Sequence, residues 1–106
     1  MNKQKVSCNI SIDSLDSCSG NIFLPPGQCY QLTINYPLET QYNIFIETTK
    51  NGMGLSQLLF EIGKAYKRIY ESPKRYGVYG HSINDLYLEG IDVDHDKQII
   101  TLSVGS

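Results

Sequence analysis

Polar and apolar residues alternate strictly over residues 5–13, Lys-Val-Ser-Cys-Asn-Ile-Ser-Ile-Asp, which predicts a strand with one buried face. The same period returns at Tyr30, Leu32, Ile34 and Tyr36, interleaved with Gln31, Thr33 and Asn35, until Pro37 closes the run. Tyr42, Ile44 and Ile46 mark a third strand. A polar loop over residues 13–21 and the turn signal Pro25-Pro26-Gly27, just after Phe23 and Leu24, separate the first strand from the second. Each strand keeps one polar face, which favours antiparallel pairing with the other face on a core.

Gly52 and Gly54 break this period, and a longer one replaces it. Leu55, Leu58, Leu59, Ile62, Tyr66 and Ile69 recur at helical spacing, predicting a helix from about Leu55 to Glu71 that Pro73 ends. At about 100° per residue these side chains share one arc, with Ala65 and Tyr70 on its edges. Leu58, Leu59, Ile62 and Ile69 are therefore expected to be buried. The opposite face carries Lys64, Lys67, Arg68 and Glu71, and Phe60 sits among those charges, out of phase with the core.

Beyond the glycine-punctuated stretch from Tyr76 to Gly80, Leu86 and Leu88 alternate with Tyr87 and Glu89. Past Gly90 the phase moves to Ile91 and Val93, the mark of a β-bulge. Asp94-His-Asp-Lys97 then turns the chain into a last strand carrying Ile100, Leu102 and Val104. The order βββαββ over residues 1–106 predicts a single α+β domain, an antiparallel sheet of about five strands with one long helix packed on it.

Charge adds a feature that periodicity does not show. The net charge is −2, but the segment from Lys64 to Arg75 holds five of the nine cations and one anion, while residues 82–106 hold five acids and one lysine. Charge sorted in this way presents one cationic surface to an anionic partner. Lys64, Lys67 and Arg68 project from one helix face, Lys74 and Arg75 follow it, and Tyr76 and Phe60 supply aromatic surface beside them. Clustered cations suit phosphates and aromatic rings suit bases, so these residues are the candidate nucleic-acid-binding set. The plainer alternative is a solvated helix face whose charges pair within the helix, Glu61 with Lys64 and Lys67 with Glu71.

Other chemistry is thinner. Cys8, Cys18 and Cys29 are an odd count without tight spacing, neither a disulfide framework nor a zinc ribbon, and Cys8 falls in phase with Val6 and Ile10 as a core thiol. Zinc would need His81 or His95 brought from far along the chain. Asp92-Val-Asp-His-Asp96 lacks the glycine and glutamate of a calcium loop, since Lys97 and Ser103 stand at those places. No metal and no cofactor is expected. His81 and Asp85 have the spacing of a general base and its orienting acid, but no strained-turn motif presents a nucleophile to them.

No apolar run approaches the roughly 18 residues of a membrane span, and the first residues lack the apolar core of a signal peptide. An intracellular location without membrane contact is expected. Eight tyrosines against no tryptophan, the off-face Phe60 and a short chain with several strand edges together point to a homodimer, with Phe60 and Tyr79 as its expected interface residues.

Three stretches resemble a small-domain family of uncertain function associated with eukaryotes and large eukaryotic DNA viruses. They are the stretch from Gly52 to Tyr70, the string Gly80-His-Ser-Ile-Asn-Asp-Leu-Tyr-Leu-Glu-Gly-Ile91, and the final stretch Ile100-Thr-Leu-Ser-Val-Gly-Ser106. Within the family pattern Gly-His-x-Ile-x-Asp-Leu-x-Leu-Glu-Gly, residues His81, Asp85, Leu86, Glu89 and Gly90 match. The resemblance covers about half of the chain and transfers no catalytic residue. It implies a viral or virion-associated setting and association with nucleic acid. The reading is a small non-enzymatic, homodimeric binding protein that contacts nucleic acid non-specifically. A protein–protein adaptor anchored by Phe60 and the tyrosines is its rival, and an enzyme built on His81 and Asp85 is the second.

Overall fold

The computed structural model describes residues 3–15 and 20–106. The middle of the expected loop over residues 13–21, and Cys18 with it, lies outside the described residues.

Strand β1 (Lys3–Ser11) pairs antiparallel with β6 (Tyr87–Asp94), which pairs antiparallel with β7 (Ile99–Gly105). Strands β3 (Cys29–Ile34) and β4 (Tyr42–Glu47) form another antiparallel pair. The two groups join where β3 runs parallel to β7, with Leu32 opposite Ile100. The five-stranded sheet has the order β1-β6-β7-β3-β4 and is mixed, with one parallel pairing among antiparallel ones. Alternation speaks for each strand's two faces, and it says nothing about how distant groups of strands meet. The phase change at Gly90 is a register shift, in which β6 slips against β7 between Leu88 and Gly90 and β1 slips against β6 between Ser7 and Ile10.

A two-stranded sheet, β2 (Phe23–Leu24) with β5 (Met53–Gly54), ties the early loop to the start of the helix. Gly52 makes this possible. Its φ is +77°, and a Cβ there would stand 2.6 Å from the Leu24 carbonyl oxygen.

Helix α1 (Leu55–Glu71) has the boundaries that its period predicts. Leu58, Leu59, Ile62, Ala65, Tyr66 and Ile69 are buried, in one cluster with Val6, Leu32, Leu88, Ile91 and Ile100 from the sheet. Tyr66 is fully covered, and its hydroxyl donates to the Tyr36 carbonyl at 2.8 Å, so the burial leaves no polar orphan. Pro73 stops α1 and opens the one-turn helix α2 (Pro73–Tyr76), where the missing N–H costs nothing. Gly77, at φ +71°, caps α2.

Candidate nucleic-acid interface

The buried arc of α1 fixes what its other face must show. Phe60, Lys64, Lys67 and Arg68 fall within one exposed stripe, and Lys74 and Arg75 follow on the exposed surface of α2. Of the two intrahelical pairs that a neutralised face would form, one exists. Lys64 Nζ lies 3.5 Å from Glu61 Oε2, and this is the one ion pair among the described residues. Lys67, Arg68, Lys74 and Arg75 form no ion pair with a carboxylate among those residues. The Lys64 ammonium also stands 5.4 Å from the centre of the Phe60 ring, which is 65% exposed.

Aromatic side chains connect the two ends of this surface. Arg75 lies over Tyr76, with 5.7 Å from guanidinium carbon to ring centre, and Tyr76 meets Tyr42 edge-on at 4.9 Å. Tyr42 in turn lines a recess of about 440 Å³ between β4 and α1, together with Ile44, Phe45, Ala65, the cations Lys64 and Arg68, and the acid Glu61. Lys64, Arg68 and Arg75 therefore border one tract that runs from the recess through Tyr42 to Tyr76. On the other flank of α1 a second recess, about 290 Å³, lies between residues 12–15, Asp13 among them, and Leu59, Phe60, Gly63, Lys64 and Lys67 of the helix. Lys64 stands between the two.

Tyr79, assigned by sequence to an interface, is half exposed and meets Tyr36 edge-on at 6.5 Å, while its N–H donates to the Pro37 carbonyl. It sits on the loop after α2. The structure does not record Tyr79 in contact with Phe60.

The enzyme constellation is arranged differently from its spacing. The Asp85 carboxylate accepts the Ser82 N–H at 3.2 Å, closing a capping box around the 3₁₀ turn Ile83–Asp85. The His81 Nε2 instead faces the Ser106 hydroxyl at 3.4 Å, and that hydroxyl lies 2.8 Å from the Tyr36 hydroxyl. The acidic turn is likewise occupied with itself. Asp94 Oδ1 accepts the N–H groups of Asp96 and Lys97, both at 3.1 Å. The Lys97 N–H foremost, then the Asp96 N–H and the Lys3 and Lys97 charges, hold the Asp94 carboxyl below the usual range against a smaller opposing effect of burial. Among the described residues no group of three or more His, Cys, Asp or Glu side chains is placed to hold a metal ion. No helix among them is long and apolar enough to cross a membrane.

Sequence reasoning missed two features. Phe45 is 68% exposed, the most exposed large apolar side chain beside the cationic tract. Its signal was available, because it occupies the polar phase of β4 between Asn43 and Glu47, as Phe60 occupies the polar face of α1. The other is a network at the far end of the sheet. His95 Nδ1 lies 2.6 Å from the Tyr30 hydroxyl, and His95 Nε2 lies 2.9 Å from Gln4 Oε1. These three residues also line a polar cleft of about 540 Å³.

Compared with known proteins, the chain matches no family model, no curated protein and no solved structure.

Proposed function

We propose that this protein is a non-enzymatic binder of nucleic acid that holds the sugar–phosphate backbone along the outer face of α1 and across α2. The observation that supports this best is the set of four exposed cations, Lys67, Arg68, Lys74 and Arg75, which have no ion-pair partner among the described residues, in a protein of net charge −2. A solvated helix in an acidic chain would be expected to neutralise such a stripe with its own acids. The surplus acids lie in residues 82–106, where Glu89, Asp92 and Asp94 would repel phosphate and so orient the encounter. Exposed Phe60, and Tyr76 beside Arg75, add ring faces on which unpaired bases can stack, which favours single strands.

Selectivity should be low. The helix that carries the cations spends its whole opposite face on the core, and nothing here resembles a motif that inserts a helix into a groove to read base edges. The family resemblance adds a viral or virion-associated setting to this reading.

A gel-shift titration with single- and double-stranded DNA and RNA at low salt tests it. Binding should weaken with a log–log salt slope of about −0.7 to −0.9 per phosphate contacted. Lys67→Glu combined with Arg68→Glu should abolish binding while leaving the fold intact, read as a cooperative thermal unfolding transition, since both side chains are exposed. Absence of binding to any of these nucleic acids below about 10⁻⁴ M would exclude the reading. The adaptor reading would then stand.

A further inference from the structure

The two edges of the five-stranded sheet differ in every device that keeps a strand from pairing with another chain. At the β1 edge, Lys3 and Lys5 alternate along the strand, and the register breaks between Ser7 and Ile10. Residues 20–23 pass beside β1 and touch its side chains. A Cβ on Gly20 would come within 3.1 Å of Val6 Cγ2, and the Phe23 N–H donates to Gln4 Oε1. Charge, bulge and cover are the means by which sheet edges are protected.

Among the described residues the β4 edge has no bulge and no covering strand, and it is short of charge. Its six residues contain no lysine, no proline and no register shift, and a single charge, Glu47. The direction of its free groups follows from the ladder. The Thr48 N–H donates to the Gln28 carbonyl, so the bonded pairs continue as Tyr30 with Ile46, Leu32 with Ile44 and Ile34 with Tyr42. Asn43, Phe45 and Glu47 must therefore turn their N–H and C=O groups outward. No strand pairs with them among the described residues, and Phe45 at their centre is 68% exposed.

We infer that β4 is the interface of a homodimer, in which two copies pair their β4 strands antiparallel about a two-fold axis at Phe45. Self-complementarity selects a second copy as the occupant. In that register Phe45 faces the partner's Phe45, Ile44 faces the partner's Ile46, and Glu47 faces the neutral Asn43 of the partner subunit. No like charges meet, whereas the same operation on β1 would crowd lysines together. The two sheets become one, and because the axis is perpendicular to it, both α1 helices stand on the same face. The cationic tracts bordering β4 are then brought side by side. This interface departs from the one expected around Phe60 and Tyr79, and it does not depend on the nucleic-acid reading.

Sedimentation of the protein between about 1 and 200 µM, spanning the micromolar range of such interfaces, tests it. The chain should dimerise. Phe45→Glu, which sets two carboxylates face to face, should weaken the dimer about a hundredfold. Asn43→Pro removes an outward N–H while sparing the bonds to β3, and it should weaken the dimer comparably with the ring of Phe45 intact. Thermal unfolding at low concentration checks that each variant folds, and Phe60→Glu should leave association unchanged. A monomer throughout the range overturns the inference and leaves the edge to an extended peptide of another protein. A dimer indifferent to both β4 variants overturns it as well.

Discussion

His95 and His81 each lie 5.7 Å, ring centre to ring centre, from a tyrosine, and both are half buried. Their bonding is opposite. In the first cluster the imidazole is the anchor. Gln4 Oε1 can only accept, so His95 Nε2 must donate to it, and in the neutral ring Nδ1 then accepts from the Tyr30 hydroxyl. One ring thus joins β1, β3 and the turn between β6 and β7. In the second cluster the main chain is the anchor. The Tyr70 hydroxyl donates to the His81 carbonyl at 3.1 Å and the Tyr66 hydroxyl to the Tyr36 carbonyl at 2.8 Å. The His81 ring is left with the 3.4 Å approach to Ser106. Ring proximity is the same in both places, and only the donors and acceptors tell which histidine the fold depends on.

Raising the pH challenges both clusters at once and should have the largest effect. Burial pushes the Tyr66 hydroxyl well above the ordinary phenol range, with the neighbouring Tyr70 adding to the rise, and burial raises Tyr30 in the same direction. A phenol whose folded value exceeds its unfolded value of about 10 contributes stability that is complete below that pH and lost above it. Urea midpoints should change little between about pH 8 and 9.5 and fall steeply beyond about 10. Tyr66→Phe should flatten that fall more than Tyr30→Phe does. An equal slope in all three proteins would mean that the two hydroxyls are not the buried groups described here.

At neutral pH the sharpest contrast should come from His95→Ala. It takes the acceptor from the Tyr30 hydroxyl and one of two donors from Gln4, and because both groups line the cleft the loss in a urea titration should be about 1–2 kcal/mol. Tyr30→Phe should cost about 1 kcal/mol, and the double variant less than the sum, because both remove the same bond.

The asymmetry also shows what a sequence can carry. Helix α1 was legible to the residue because its information is local, an apolar period between two glycines and a proline. The bulge at Gly90 was legible for the same reason, as a phase change inside one strand. His81 drew attention because Asp85 stands four residues away, yet that carboxylate caps Ser82. His95, whose partners Tyr30 and Gln4 lie 65 and 91 residues distant, left no local trace. The cationic stripe was readable as a helix face. Its continuity with Tyr42 and Phe45 was not, because it depends on β4 lying beside α1, a fact of topology. The parallel meeting of β3 and β7 was hidden for that reason too.

His81→Ala should have the smallest effect, and its smallness is the point. Truncating this ring leaves the carbonyl that Tyr70 binds, the capping box of Ser82 and Asp85, and the bond between Tyr36 and Ser106. What is lost is one long contact to a hydroxyl on the exposed Ser106 and the tilted packing against Tyr36. Such losses fall within about 0.5 kcal/mol. Tyr70→Phe, which removes the donor to the His81 carbonyl, should cost more, about 1 kcal/mol, although it leaves the histidine in place. Urea titrations of the two variants under identical conditions decide the matter. If His81→Ala destabilises the protein as much as His95→Ala, the imidazole carries structure that its single 3.4 Å contact does not explain, and the two clusters are alike after all.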